Sequence, residues 1–293
     1  MAKKNYPVIR SFDVTGGSQQ NTIVDIGQSA SRLNHRLMRQ TRIYTANVKL
    51  RPDSALNGVD VYALRNDWML CNSVKMAYKA YQQATSATRA MMSEQQLARW
   101  EDFRIDHGIS PVNNAAPILY GPPTGGPPPR VARAAMYTGE FVLSTVDDAS
   151  GTTHTFTLGT AASNQYQILD EYDNSADTDS DPGNLLSSGV VPYGGLEDDV
   201  TGTIVRDLAD NGNNPPYDSD SIQGSHPWVR VGTLGVGAAH STLSTGQFEA
   251  PLGLILIDGY VYGGAGEGTE EGSISVHLKA GDYKGVHAPS MLE

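Results

Sequence analysis

A single cysteine, Cys71, stands in 293 residues, so neither an intrachain disulfide framework nor a cysteine-based zinc site is open to this chain. No stretch approaches the roughly 18 consecutive apolar residues of a membrane-spanning helix. The first residues, MAKKNYPVIRSFDV, lack the apolar run of a secretory signal. These absences predict a soluble chain made inside a cell, with no membrane partner. Catalytic signatures are missing as well: there is no G-x-S-x-G, no H-E-x-x-H, no phosphate-binding loop and no Rossmann glycine fingerprint. The histidines, at positions 35, 107, 154, 226, 240, 277 and 287, include no two at metal-ligand spacing. Carboxylates are abundant, and a pair of them could meet in space as in a glycosidase, but the sequence places no such pair. The expectation is a protein that is not an enzyme. No repeat of fixed period is visible, which argues against a propeller or solenoid.

Positive charge is scarce only in the second half of the chain. Residues 1–134 carry 17 Lys+Arg against 9 Asp+Glu, whereas residues 135–293 carry 4 against 23. The overall charge of -11 is therefore the sum of a basic part and a strongly acidic one. Such polarity suits a protein whose one part meets a polyanion while the other faces water or a different environment.

The length allows one large all-β domain or two ordinary domains. Thr22–Ile26 is a short apolar run, and Gly27–Gln40 follows with Ala30, Leu33 and Leu37 at helical spacing. Arg32, Arg36 and Arg39 would share the opposite face of that helix, beside His35. Ile43–Leu50 and Val59–Leu64 read as strands that could form a hairpin about Asn57-Gly58. From Asp67 the spacing of Leu70, Val74, Ala77 or Tyr78, Tyr81 and Ala84 predicts a helix. A further helix is expected from a capping box at Ser93 and Gln96, through Leu97, Trp100 and Phe103, to His107-Gly108.

Residues 108–134 contain PILYGPPTGGPPPR, too rich in Pro and Gly for helix or central strand, and read as a linker or extended arm. Beyond it strands are expected near 136–146, 153–158, 165–172, 202–206, 228–236, 252–262 and 272–278, separated by Gly, Asn, Asp and Ser clusters. Seven or eight strands in such a length favour a sandwich or jelly roll. The fold expected is mainly β: a jelly-roll sandwich with an N-terminal helical and hairpin region. The organisation expected is a basic α+β region over 1–107, the arm or linker, and an acidic β-sandwich over 135–293. A single continuous domain with strands contributed from 1–107 stays open beside it.

Two candidate sites follow. Lys3, Lys4, Arg10, Arg32, Arg36, Arg39 and Arg42 lie in a region whose only acids up to residue 50 are Asp13 and Asp25. Clustered cations are what phosphate binding needs, without sequence specificity of their own. Arginines on a helix face also occur as plain wet surface or as partners for a neighbour's acids. The aromatics Tyr78, Tyr81, Trp100 and Phe103 read as helix packing rather than platforms for stacked bases. The second candidate is DEYDNSADTDSDPGN, where Asp173, Asp177, Asp179 and Asp181 could point hard oxygens at Ca2+. The bidentate Glu and loop glycine of an EF-hand are missing at their positions, so a solvated acidic loop is the competing reading.

Taken in order, a short basic amino-terminal region, the stretch NVKLRP through VDVYALRNDWMLCNSVKMAYKAY, the segment ARWEDFR, and then YQILDEYDNS and FEAPLGLILIDGY form a pattern. This pattern resembles capsid proteins of small circular single-stranded DNA viruses known mainly from environmental sequence. The likeness runs over most of the chain and rests on texture and strand motifs. It implies a jelly-roll coat subunit that assembles with copies of itself into a closed icosahedral shell around a small single-stranded genome. Its place would be the virion and, during assembly, the host cell interior. Many such coats begin with an arginine-rich arm, whereas MAKKNYPVIR is only lightly basic, which leaves the dispersed cations of residues 1–51 as the substitute. The alternative is a non-enzymatic β-sandwich module binding carbohydrate or a receptor, for which Trp228, Tyr193 and Tyr217 are the available aromatic platforms.

Overall fold

Alternation of apolar and polar side chains at both ends of the chain decides which way the first sheet faces. Phe12 and Val14 alternate with Ser11 and Asp13, and Ile274, Val276 and Leu278 alternate with Ser275 and His277. In the computed structural model these two stretches are neighbouring antiparallel strands, β1 (Ser11–Gly17) and β14 (Glu271–Leu278), with Phe12 opposite Val276 and Ser11 opposite His277. The residues described are 8–17, 21–50, 58–93, 101–109, 113–114, 117–120, 130–132, 141–148, 150–159, 164–176, 227–235, 242–260 and 271–293.

The remaining elements are β2 (Asn21–Asp25), α1 (Ile26–Asn34), β3 (Ile43–Leu50), β4 (Gly58–Leu64), α2 (Trp68–Met91), β5 (Asn113–Asn114), β6 (Pro117–Tyr120), β7 (Arg130–Ala132), β8 (Thr145–Asp147), β9 (Thr153–Thr157), β10 (Gln165–Gln167), α3 (Ile168–Ala176), β11 (Trp228–Gly235), β12 (Phe248–Pro251) and β13 (Leu254–Tyr260). The fold is mainly β, and its sheets are largely antiparallel. One sheet has the order β12-β3-β14-β1-β6-β7, the second β11-β4-β13-β2-β5, and a small third sheet β10-β9-β8.

Strand β13 shows why these sheets stack. Its Leu254, Ile255, Leu256 and Ile257 form an unbroken apolar run, the mark of a strand buried on both faces. Ile255 and Ile257 join Val24, Val59 and Val61 from their own sheet and Phe12, Val14, Val48, Ile274 and Val276 from the first sheet in one core. Leu254 and Leu256 point the other way, into a second apolar cluster with Ile23, Leu64, Val74 and Ala77 of α2, Phe156 of β9 and Ile168 of α3. Fully burying each such side chain contributes roughly 1.5–3 kcal/mol. Both clusters are needed, since neither face of the second sheet is polar enough to meet water.

Several elements differ from the sequence expectation. The N-terminal region opens on strands, not on a helical and hairpin unit. The expected hairpin does not form: β3 sits between β12 and β14 in the first sheet, and β4 between β11 and β13 in the second. Val48 and Val61 therefore meet across the core rather than side by side. The first helix stops at Asn34, because His35 takes a left-handed φ of 50° and Ser31 Oγ accepts from Met38 N at 2.7 Å, drawing Met38 into the core. Residues 101–105 form no helix. Gln40 explains this, because its side chain accepts from Ile105 N at 2.7 Å and donates to Ile105 O at 3.2 Å, as a neighbouring strand would.

The strand expected over 165–172 ends at Gln167. Asp170 and Glu171 then fall in the first turn of α3, where carboxylates favour a helix. Only Thr145 and Val146 of the strand expected over 136–146 are in β8, and residues 136–140 lie outside the described residues, as do the strand expected over 202–206 and the Ser93–Gln96 cap beyond Ser93. Within 108–134, residues 113–114, 117–120 and 130–132 are extended, as β5 on the second sheet and β6 and β7 on the first.

Gly253, in the turn between β12 and β13, has φ +65°, and a Cβ there would lie 2.9 Å from Cδ2 of the buried Tyr44 ring. Gly151 has φ +85° with open space around it. Replacing Gly151 with Ala is expected to cost about 1 kcal/mol, from backbone strain alone. Gly253→Ala carries the same strain plus a clash, and is expected to cost about 2–3 kcal/mol. Denaturant melts of the two variants check the difference, and equal losses would mean that Tyr44 yields freely.

Candidate nucleic-acid interface

The chain leaves α1 through His35 and crosses to β3 along residues 36–42, which carry Arg36, Arg39 and Arg42. A second segment folds against this crossing. After β14 the chain makes an excursion over residues 279–286 and returns to flank β3, with Thr45 N donating to His287 O at 3.2 Å and Ile43 N to Pro289 O at 3.0 Å. At the tip of that excursion stand Tyr283 and Lys284.

Tyr283 organises the cluster. Its hydroxyl accepts from Arg39 N at 3.1 Å, and the Arg42 guanidinium lies over its ring at 4.0 Å from the centroid. Arg42 Nη1 also donates to Ala288 O at 3.2 Å. Lys284 Nζ donates to Leu37 O and lies 5.5 Å from the same ring centroid. Burial first, and then the fields of Arg39, Arg42 and Arg36, lower the Lys284 ammonium from its ordinary value. Four cations so close, with Arg39 and Lys284 exposed, repel one another unless an anion lies among them.

Beneath the crossing lies a buried ion cluster. Asp25 caps α1 by accepting from Gln28 N at 2.8 Å, and its other oxygen pairs with Arg104 Nη2. Arg104 also faces Asp102 Oδ2 at 3.5 Å, and that oxygen accepts from Gln40 N at 2.9 Å. Asp25 and Asp102 raise the Arg104 guanidinium against the opposing effect of burial, so it stays charged. Burial pushes the Asp102 carboxyl up to about 6, against the lowering effects of Gln40 N–H and Arg104.

Of the residues expected to bind nucleic acid, the structure brings together Arg36, Arg39 and Arg42. Arg32 sits apart on α1, its guanidinium 6.0 Å from the Phe141 ring that Arg104 also approaches at 5.3 Å. Arg10 is exposed just before β1, its carbonyl accepting from Leu278 N at 2.7 Å. Lys3 and Lys4 lie outside the described residues. The expected sharing of one helix face by Arg32, Arg36 and Arg39 is corrected by the end of α1 at Asn34. Asp173 falls within α3, while Asp177, Asp179 and Asp181 lie outside the described residues. Among the described residues no group of acidic, His or Cys side chains is arranged to hold a metal ion, and no helix is long and apolar enough to cross a membrane.

Tyr78 and Tyr81 pack on Phe103 with centroids at 5.4 and 5.3 Å, as packing residues do. Sequence reasoning missed Lys284 and Tyr283. The signal available was that two of the four cations in residues 135–293, Lys279 and Lys284, lie in one short stretch near the end. Comparison with family models, curated proteins and solved structures finds no match.

The raised Asp102 carboxyl fixes the sign of a pH effect. The folded protein holds this proton more tightly than the unfolded chain, so the linked stability is full below about pH 4 and is lost as pH rises through about 6. Asp102→Asn, which keeps the neutral form, is expected to raise Tm at about pH 8 by an amount worth roughly 2–3 kcal/mol. At about pH 4 it should leave Tm nearly unchanged. Thermal melts at both values check this, and a difference independent of pH would remove Asp102 as the titrating group.

Proposed function

We propose that the protein is a viral coat subunit with a jelly-roll fold that assembles into a closed shell and meets a single-stranded genome through the Arg36, Arg39, Arg42 and Lys284 cluster. The observation that carries this reading is the strand order. Leaving aside the strands inserted between β4 and β11, the first sheet holds β12, β3, β14 and β1, and the second β11, β4, β13 and β2. Successive strands thus change sheets at every step except from β4 to β11, which pair within the second sheet, and the first strand pairs with the last. This order supports a reading as two interlocked Greek keys, the pattern of jelly rolls in capsid domains. The sequence likeness described above supports the same reading independently.

A shell needs contacts that repeat by rotation, and a rigid two-sheet body with a large insertion between β4 and β11 offers a platform for them. The basic cluster suits an inner surface facing phosphate, while the acid-rich remainder suits the outside. For a sugar-binding module, Trp228 would have to be a free platform, yet it packs against the second apolar cluster, and Tyr193 and Tyr217 lie outside the described residues.

Negative-stain microscopy of the purified chain is expected to show closed particles of uniform size, and a small oligomer at all concentrations would overturn the coat reading. Oligonucleotide binding is expected to weaken with salt, at a log–log slope of roughly 0.7 per phosphate contact. Changing Arg36, Arg39, Arg42 and Lys284 together to Gln should reduce that slope by about 3. Full retention of the slope would place the genome contact elsewhere.

A further inference from the structure

Resting on the reading of the Tyr283 cluster as a site for nucleic-acid phosphate, we propose that Asp102 is the built-in counter-charge of that site and makes phosphate binding pH-dependent, tighter when its carboxyl is protonated. Asp102 is not among the cations. Its side chain is 3% exposed and lies below the crossing segment, where Oδ2 accepts from Gln40 N at 2.9 Å. Gln40 follows Arg39 and precedes Arg42 by two residues, so this one carboxylate holds the backbone that carries the arginines.

The charged and titratable groups facing Asp102 come from every side. Arg104 is on its own segment, Asp25 at the end of β2, Arg39 on the crossing segment, Tyr44 on β3 and Lys284 on the C-terminal excursion. Arg104 stays charged, and burial holds the Tyr44 phenol well above its ordinary value, hence neutral. Asp102 Oδ1 has no hydrogen-bond partner among the described residues. A buried carboxylate oxygen without a donor is poorly stabilised as an anion, and it is the atom on which a proton settles at least cost.

The sense of the effect follows from Coulomb's law. The ionised carboxylate cancels part of the field that Arg39 and Lys284 present, and protonation restores it. One unit charge at about 10 Å, with an effective dielectric between protein and water, changes affinity roughly threefold. Linkage makes this reciprocal: a bound phosphate raises the proton affinity of Asp102 by the same factor.

The test uses the full chain, dilute enough that light scattering shows no assembly, and a labelled oligothymidylate at fixed ionic strength. Wild type is expected to bind more tightly at about pH 5 than at about pH 7.5. Asp102→Asn should bind roughly threefold more tightly than wild type at the higher pH, and its pH ratio should be smaller by the same factor. A wild-type pH ratio retained in Asp102→Asn overturns the proposal and assigns the effect to histidines. Should that variant not fold, calorimetry of the His35→Gln protein at about pH 6, in two buffers of different ionisation enthalpy, reads proton uptake on binding directly. Uptake is expected, and its absence overturns the proposal. Absence of binding at either pH, or binding untouched by Arg39→Gln, Arg42→Gln and Lys284→Gln, would instead sink the phosphate site itself.

Discussion

A sheet that is apolar on both faces has to be covered twice, and the rest of this molecule is arranged to meet that requirement. The Leu254–Ile257 run of β13 faces the first sheet with two side chains and α2 with the other two. The first sheet can cover only one face, because its own outer face carries Ser11, Asp13, Asn47, Lys49, Ser275 and His277. The second cover must come from the segment between β4 and β11. It does so through α2, α3, the small sheet and Phe103. Interlocking of the insertion with the sandwich is thus a consequence of one strand's composition.

The periodic segments were legible in the sequence because their periodicity is a local record of burial. β3, β4, α2, β9, β11 and β14 fall close to where alternation or helical spacing places them. The misreadings fall where a distant partner overrides local preference. Residues 101–105 have a helical look, but the Gln40 side chain occupies the backbone groups of Ile105, and Asp102 and Arg104 are held by Gln40 and Asp25. Likewise Leu37 carries the helical spacing past Asn34, yet the core takes Met38 instead.

The site was half legible for a related reason. Composition identifies a basic first half and an acidic remainder, but charge along a chain is not charge in space. The excursion after β14 carries Lys284 out of the acidic part and sets it among Arg36, Arg39 and Arg42, around a tyrosine that no charge count would single out. Arg32 moves the other way, toward Phe141. The pattern of helical spacing therefore chose two of the right arginines, Arg36 and Arg39, for the wrong geometric reason.

The contact between Gln40 and Ile105 has a consequence for how such a chain can change over generations. Two side-chain hydrogen bonds and the Asp102 and Arg104 pairings tie the insertion to the crossing segment and to the end of β2. Changes in the insertion that leave these residues in place leave that tie intact. A graft that brings in a foreign insertion must bring Asp102, Arg104 and Ile105 with it, matched to Asp25 and Gln40. Otherwise it leaves a buried guanidinium or carboxylate without its partner, a defect that typically costs several kcal/mol. Those five positions are therefore expected to change together rather than one at a time.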